Sequence, residues 1–279
     1  QQIFGYLSEI KAALTRSAAA SSLHVLFLPQ ASSDALNKQA MHQRLSVQFV
    51  WYNQQYQTTD DFMAQLTSRK RRSIRKERAP FTQAKSNLEP DSKTREQSAI
   101  TIKTLTNSAL TQDIVDAFHL CYQQTYYKRS GHAGYLTAAF FDGLISTLIE
   151  NVCIIAAFKG QKMIAGSLFF YNEHALFGRY WGALEDMSGL HFECCYYRGI
   201  DFAIAKGIKV FNPGTQGEHK ILRGFRPTFC YSNHYLMEPA FDRAVADFLA
   251  RERPGIERYQ KQASELLPYK QDDDQAKND

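Results

Sequence analysis

Val152-Cys-Ile-Ile-Ala-Ala-Phe158, Ile164-Ala-Gly-Ser-Leu-Phe-Phe-Tyr171 and Ala175-Leu-Phe-Gly-Arg-Tyr-Trp-Gly-Ala-Leu184 are three consecutive apolar runs separated by Lys159-Gly160 and Asn172-Glu173. Runs of this length, rich in β-branched and aromatic residues and broken by turn-forming pairs, predict strands joined by hairpins. Hairpin-linked strands are antiparallel, so residues 152–184 form a meander. Working outward, a helix from His191 to about Lys206 stops at Gly207 and hands over to a strand at Lys209, Val210 and Phe211. Strand, helix and strand in this order make a right-handed crossover. Upstream, Ile100, Ile102 and Leu105 mark a strand. Two helices follow it, one through Ile114, Phe118 and Cys121, the other through Phe140, Phe141, Leu144, Ile145, Leu148 and Ile149. Downstream, a strand over Thr228 to Met237 precedes a closing helix whose apolar face (Phe241, Ala244, Val245, Phe248, Leu249) runs until Pro254.

Before this block, Leu23 to Leu28 forms a short strand that ends at Pro29. Leu45, Val47, Phe49 and Trp51 alternate with Ser46, Gln48 and Val50, the period of two of a half-buried strand. Thr58, Thr59 and Asp60 can cap a helix with Phe62 and Leu66 inside, continuing through the basic run Arg69 to Arg78 until Pro80 stops it. The polar stretch 81–97, with Pro90 and no sustained period, is read as a connector. The expected organisation is a first unit over 1–80 ending in the basic helix, the connector, an α/β domain over 98–268, and a disordered acidic tail over 269–279. The chain opens on a helical pattern (Ile3, Tyr6, Leu7, Ile10) with no strand before it, so the first unit is expected to be partial.

Hydrophobic residues make up 44% and charged residues 22% of the 279, which excludes a disordered chain or a fibre and allows a sizeable core. No apolar run approaches the roughly 20 residues that cross a bilayer. The opening residues lack the pattern of a signal peptide, so a cytoplasmic location is expected. The five cysteines show no CxxC spacing and are expected to be reduced. The histidines form no HxxxH or HxH cluster, so no metal is indicated. The absence of GxGxxG, Walker A and GxSxG patterns argues against dinucleotide, nucleoside-triphosphate and serine-hydrolase chemistry.

Chemistry concentrates between Arg179 and His234. Alternation along the third meander strand puts Phe177, Arg179 and Trp181 on one face. An arginine between aromatics suits a cleft for an anionic or planar group, or else packs its stem on the sheet with its head in water. His191-Phe192-Glu193-Cys194-Cys195-Tyr196-Tyr197 opens the next helix, where free N–H groups attract anions and Glu193 is either a ligand contact or a favourable first-turn acid. In Asn212 to Lys220, Gly214 and Gly217 allow close backbone approach around Gln216. Glu218, His219 and Lys220 then offer an acid or base, a group titrating near neutrality and a cation, which acyl transfer uses for proton removal and oxyanion stabilisation. A surface pair of Glu218 with Lys220 is the alternative. Arg223 follows, and His234 sits on the last strand. On the basic helix, Arg71 with Arg75 and Arg72 with Lys76 are four residues apart, and their repulsion would be relieved by RNA phosphate, a lipid pyrophosphate or an acidic membrane, or in part by Glu77.

The element order β, αα, βββ, α, β, α, β resembles that of GNAT acyltransferases, whose sheet splays after the fourth strand to admit an acyl donor. The chain also resembles a bacterial family of FemAB-related proteins, labelled peptidoglycan biosynthesis or recognition proteins. The resemblance rests on Ser22 to Phe27, Arg69 to Arg78, Tyr135 to Thr137 with Phe140 and Phe141, Gly178 to Gly182, and His191 to Glu193 with Cys195 to Tyr197. It also rests on Gly214 with Gln216 to Lys220, Arg223 to Phe225, and Tyr231, Ser232 and His234. It implies a GNAT-type, mostly antiparallel splayed sheet flanked by helices, and two tandem units. By resemblance, Fem-type relatives move an aminoacyl group from charged tRNA onto an amine of a cell-wall precursor. Glu218 or His219 would then assist proton removal, Lys220 and Arg179 would steady negative charge, and Trp181 and Tyr197 would shape the cleft. Glu193, Tyr196, Gly214, Gln216, Gly217, Arg223 and His234 would complete the substrate site, and Arg71, Arg72, Arg75 and Lys76 would meet tRNA or precursor. The joint Leu184-Glu-Asp-Met-Ser-Gly-Leu190 lacks the usual GNAT pyrophosphate-binding pattern, which speaks against ordinary acetyl-CoA use, and the expected donor is aminoacyl-tRNA or an acyl-CoA. A non-catalytic protein that binds a cell-wall precursor or RNA, and an acetyl-CoA-dependent N-acetyltransferase, are the alternatives.

Overall fold

The computed structural model of the chain describes residues 9–10, 12–13, 20–82, 100–214 and 217–270. The first half holds β1 (Ser22–Leu28), α1 (Gln30–Asn37), β2 (His42–Tyr52), α2 (Thr59–Gln65), α3 (Ser68–Thr82), β3 (Ile100–Thr106) and α4 (Gln112–Ser130). The second holds α5 (Ala138–Thr147), β4 (Val152–Lys159), β5 (Lys162–Tyr171), β6 (Ala175–Ala183), α6 (Arg198–Ala205), β7 (Val210–Asn212), β8 (Arg226–Leu236) and α7 (Pro239–Glu265). A turn of α-helix (Leu190–Phe192) and a π-helical turn (Glu193–Tyr197) lead into α6, and a 3-10 helix (Glu218–Arg223) precedes β8. The chain divides into two compact units, residues 1–48 with 227–266, and residues 49–226 with 267–279.

In the second unit the strand order is β2-β7-β6-β5-β4-β3. The meander is antiparallel from β3 to β6, and β7 joins β6 in parallel, as a helical crossover requires. β4 is buried on both faces along its first seven residues, which explains its unbroken apolar run. On one face α4 and α5 pack Phe118, Tyr122 and Phe141 against Val152, Ile154 and Leu168. Each such side chain contributes about 1.5–3 kcal/mol on burial, so this apolar layer stabilises the unit. A Cβ at Gly182 would overlap the backbone of Cys121 and Tyr122, so α4 lies directly on β6 only because that residue is glycine.

β6 departs from simple alternation. Leu168 pairs with Tyr180 and Phe169 with Gly178, leaving Arg179 as the extra residue of a bulge. Phe177 therefore opposes Phe170 while Trp181 opposes Ser167, β5 residues three apart whose side chains point to opposite faces. The expected common face of Phe177, Arg179 and Trp181 is corrected: the inserted residue reverses the faces beyond it.

The first unit pairs β1 with β8 antiparallel, from Ser22↔Leu236 to Leu28↔Tyr231, with β8 next to β2. Buried Asn233 ties this sheet to α1, accepting from Ser33 Oγ at 2.6 Å and donating to the carbonyls of Ser33 at 3.0 Å and Met41 at 3.1 Å. α7 meets β2 through charged groups, Asp242 with His42 at 2.8 Å and Glu252 with Arg44 at 2.6 Å.

Two helix boundaries differ from expectation because proline removes one N–H without ending a helix that is anchored beyond it. α3 runs past Pro80 to Thr82, with Phe81 4% exposed, and α7 runs past Pro254 to Glu265, with Gln260 Nε2 donating to Pro227 O at 3.0 Å. The helix capped by Thr58 and the basic helix are separate, because Leu66 turns extended and bridges Tyr269. The amide of Thr67 donates to Pro268 O and that of Lys270 to Gln65 O, both at 2.9 Å. Tyr269 and Lys270, the first two residues of the expected tail, are thus bonded. The rest of that tail, the stretch 83–97 of the expected connector, Gln216 and the opening apolar series Ile3, Tyr6 and Leu7 lie outside the described residues.

Candidate functional site

Pairing of β6 with β7 ends at Phe177↔Asn212. Beyond that point the sheet parts, and a cavity of about 510 Å³ opens in the second unit. Its walls come from the end of α4 (Thr125, Tyr126, Arg129), the bulged stretch of β6 (Arg179, Tyr180, Trp181), the π turn (Cys195, Tyr196), His191, and Gly214 with Lys220.

Lys220 is the centre of this arrangement. The chain leaves β7 through Gly214 at φ 96° and Gly217 at φ 106°, values that side-chain-bearing residues rarely adopt. The 3-10 helix that follows swings Lys220 inward until it is 1% exposed, with Nζ donating to Gly214 O at 2.7 Å. Burial lowers its pKa to about 8. It is a cation at neutral pH, with one of its three N–H donors given to Gly214.

The two residues before Lys220 point elsewhere. Glu218 and His219 are exposed and do not line the cavity, but His219 Nε2 lies 2.9 Å from the Tyr196 hydroxyl, which does. Burial, then the charges of Arg223 and Lys220, lower the His219 pKa and keep the ring neutral. His191, in the wall, is T-shaped against Trp181 and Tyr196, and burial pushes its pKa down to about 4.

Behind the π turn lies a network of buried charge. Glu193 is 1% exposed and accepts from Arg78 at 3.0 and 3.1 Å and from Arg198 Nε at 2.9 Å. Arg78 also donates to Asp201 at 2.5 and 3.2 Å. Burial opposes the Arg78 charge, but the bonds to and attraction of Asp201, with Glu193, outweigh it and raise its pKa. Arg223 is buried, lies 3.6 Å over Phe192, and donates to Glu77 at 2.7 Å and to His219 O at 2.8 Å. Tyr197 donates to the same Glu77 oxygen at 2.5 Å. An isolated buried charge is costly, so these pairs hold α3 and the π turn in one geometry.

Of the residues expected to form the site, the structure therefore brings Arg179, Trp181, Tyr196, Gly214 and Lys220 to one cavity. Glu193, Tyr197 and Arg223 stand behind it in the ionic network, and Gly217 supplies the turn. His234 belongs to the first unit, where its ring nitrogens lie 2.8 Å from His24 and 2.9 Å from Ser232 Oγ. On α3, Ile74 and Phe81 are buried with Glu77 and Arg78 half-buried beside them, leaving Arg72, Arg75 and Lys76 in water. Arg71 instead donates to Leu66 O at 2.6 Å, closing the end of α2. Sequence reasoning missed Thr125, Tyr126, Arg129, Ser167, His191 and Cys195 as wall residues. The only signal for the first three was their shared helical face in the last turns of α4.

An antiparallel meander, a parallel strand reached by a crossover, and a sheet that parts around a cavity define a GNAT-type acyltransferase fold. The chain belongs to the FemAB-like family, described as peptidoglycan biosynthesis/recognition, whose model matches residues 1–271. No curated protein matches the sequence. Among solved structures it is similar to L-PGS from Bacillus licheniformis, with 10% identity, 87% of this chain and 77% of that chain covered, and a TM-score of 0.55. It is also similar to the C-terminal domain of a putative lysylphosphatidylglycerol synthetase from Agrobacterium fabrum, with 12% identity, 88% and 76% covered, and a TM-score of 0.55. A GCN5-related N-acetyltransferase from Kribbella flavida matches at 13% identity over 82% and 72%, with a TM-score of 0.39. At such identities the likeness to the first two shows the fold alone. No helix among the described residues is long and apolar enough to cross a membrane.

Proposed function

We propose that the chain is an aminoacyltransferase that moves an aminoacyl group from aminoacyl-tRNA to an amine of a cell-wall precursor, in the cavity around Lys220. The observation that carries this reading is the ammonium of Lys220, buried where the sheet parts. Attack of the amine nitrogen on the ester carbon forms a C–N bond and puts negative charge on the carbonyl oxygen. The two remaining N–H donors of Lys220 suit that oxyanion. The amine must lose a proton, and the Tyr196 hydroxyl offers a path to neutral His219. Collapse breaks the ester C–O bond, and the proton held by His219 returns through Tyr196 to the leaving ribose oxygen. Thus His219 acts through Tyr196, and Glu218 has no part in the transfer. Arg72, Arg75 and Lys76, the cations that α3 leaves in water, suit the phosphates of tRNA.

The test is transfer of a labelled amino acid from charged tRNA to an amine-bearing precursor. Lys220→Met is expected to lower the rate about 10²–10³-fold, the usual effect of losing an oxyanion donor. Tyr196→Phe and His219→Gln are expected to lower it less. Wild-type rates in Lys220→Met would end the assignment, and protection of the fold by CoA would favour an acyl-CoA donor.

A further inference from the structure

The walls of the cavity have an unbalanced charge. Arg129 in the last turn of α4, Arg179 on β6 and Lys220 all line it, and no Asp or Glu is among its described lining residues. The nearby acids of the β6–α6 joint are already matched, Glu185 to Lys159 at 3.1 Å and Asp186 to Lys128 at 3.0 Å. Arg129 and Arg179 have no carboxylate partner among the described residues. Among the described residues Arg179 has the Tyr180 ring, 5.5 Å away, as its one charge-binding neighbour. A cation in the last turn of a helix is favoured by the helix dipole, which alone would account for Arg129. It does not account for a second guanidinium lining the same cavity from the facing strand. Arg179 is the inserted residue of the bulge, and bulges re-aim side chains in this way. Arg129 and Lys220 are also among the groups that, after burial, hold down the pKa of His191 in the same wall.

We propose that Arg129 and Arg179 form an anion subsite in the wall of the cavity, so that the substrate carries a phosphate or carboxylate there and a cationic aminoacyl group such as lysyl is rejected. A guanidinium recognises either anion through two parallel N–H···O bonds, whereas a lysyl side-chain ammonium, which unlike the acceptor amine keeps its proton, would enter a wall of three cations with no carboxylate among its described lining residues to receive it. The inference rests on the transfer reading only in taking this cavity as the substrate site.

Calorimetric titration of the full chain with inorganic diphosphate, succinate and lysinamide tests it without any transfer step. Diphosphate or succinate is expected to bind, and the tighter of the two identifies the anion. Affinity should fall at least tenfold in the double variant Arg129→Gln/Arg179→Gln and recover in part in Arg129→Gln/Arg179→Lys, with unchanged circular dichroism. Lysinamide should not bind measurably. Lysinamide binding as tight as that of the anions, or anion binding unchanged in the double variant, would overturn the subsite. The two failures separate: transfer that accepts lysyl as readily as alanyl removes the subsite and leaves the transferase, whereas anion binding without transfer does the reverse.

Discussion

The meander β3–β6 is held by apolar burial, whereas the π turn from Glu193 to Tyr197 is tied to α3, Arg198 and Arg223 by paired charge. In the meander a side chain contributes in proportion to the area it hides, and one hydrophobe can replace another of similar volume at modest cost. Behind the cavity, Glu193 receives two arginines and Glu77 receives Arg223 and Tyr197. There the cost of a change depends on which charge is left without its partner. The sheet of this chain should therefore tolerate volume-conserving apolar substitutions, while the π turn that sets Cys195 and Tyr196 depends on particular charged partners.

Glu193→Ala should break the comparison most sharply. It leaves Arg198 without its carboxylate and Arg78 with Asp201 alone, and destabilisation near the lower end of about 3–5 kcal/mol is expected in denaturant unfolding. Ile154→Val in the meander should cost only about 0.5–1.5 kcal/mol. Equal losses would show that the network is not what holds the turn.

Lys220 gives a smaller, pH-dependent effect. Its folded pKa of about 8 lies below the unfolded 10.5. Below pH 8 both states hold the proton, and the folded state bears the cost of burying the charge, on the order of 3 kcal/mol. Between pH 8 and 10.5 the unfolded state holds the proton that the folded state has released, so stability rises with pH across that window. Lys220→Met should therefore raise the unfolding midpoint relative to wild type at pH 7, less a contribution for the lost bond to Gly214, and this advantage should shrink as pH rises through the window. A difference independent of pH would show that the ammonium is solvated.

The two faces of α3 supply the smallest effect. Arg72→Gln and Arg75→Gln should change stability by less than about 0.5 kcal/mol, as exposed charges do. They should flatten the salt dependence of tRNA binding measured by filter retention. A large loss of stability would place these side chains in the fold rather than on its surface.

How much of this was legible depends on the distance over which each decision is made. The meander, the crossover and the two upstream helices follow from periodicity and turn residues, which act over a few positions. Pro80 and Pro254 misled because packing further along each helix outweighs one lost hydrogen bond. The break at Leu66 was hidden because its partner, Tyr269, lies two hundred residues away. His219 and Lys220 read as equals in the sequence, yet one faces solvent and the other is 1% exposed, since the 3-10 helix turns successive residues by about a third of a circle.

By itself the sequence determined the order and type of the elements, the glycines at 214 and 217 that permit the turn after β7, and the place along the chain where chemistry gathers. Only the tertiary structure decided that Arg78 and Glu77 turn inward from a basic helix, that a bulge reverses the faces of β6, and that Arg129 joins the cavity. The physical reason is that local propensity is written in neighbouring residues, whereas the fate of a charge is set by which partners the whole fold brings within hydrogen-bonding distance.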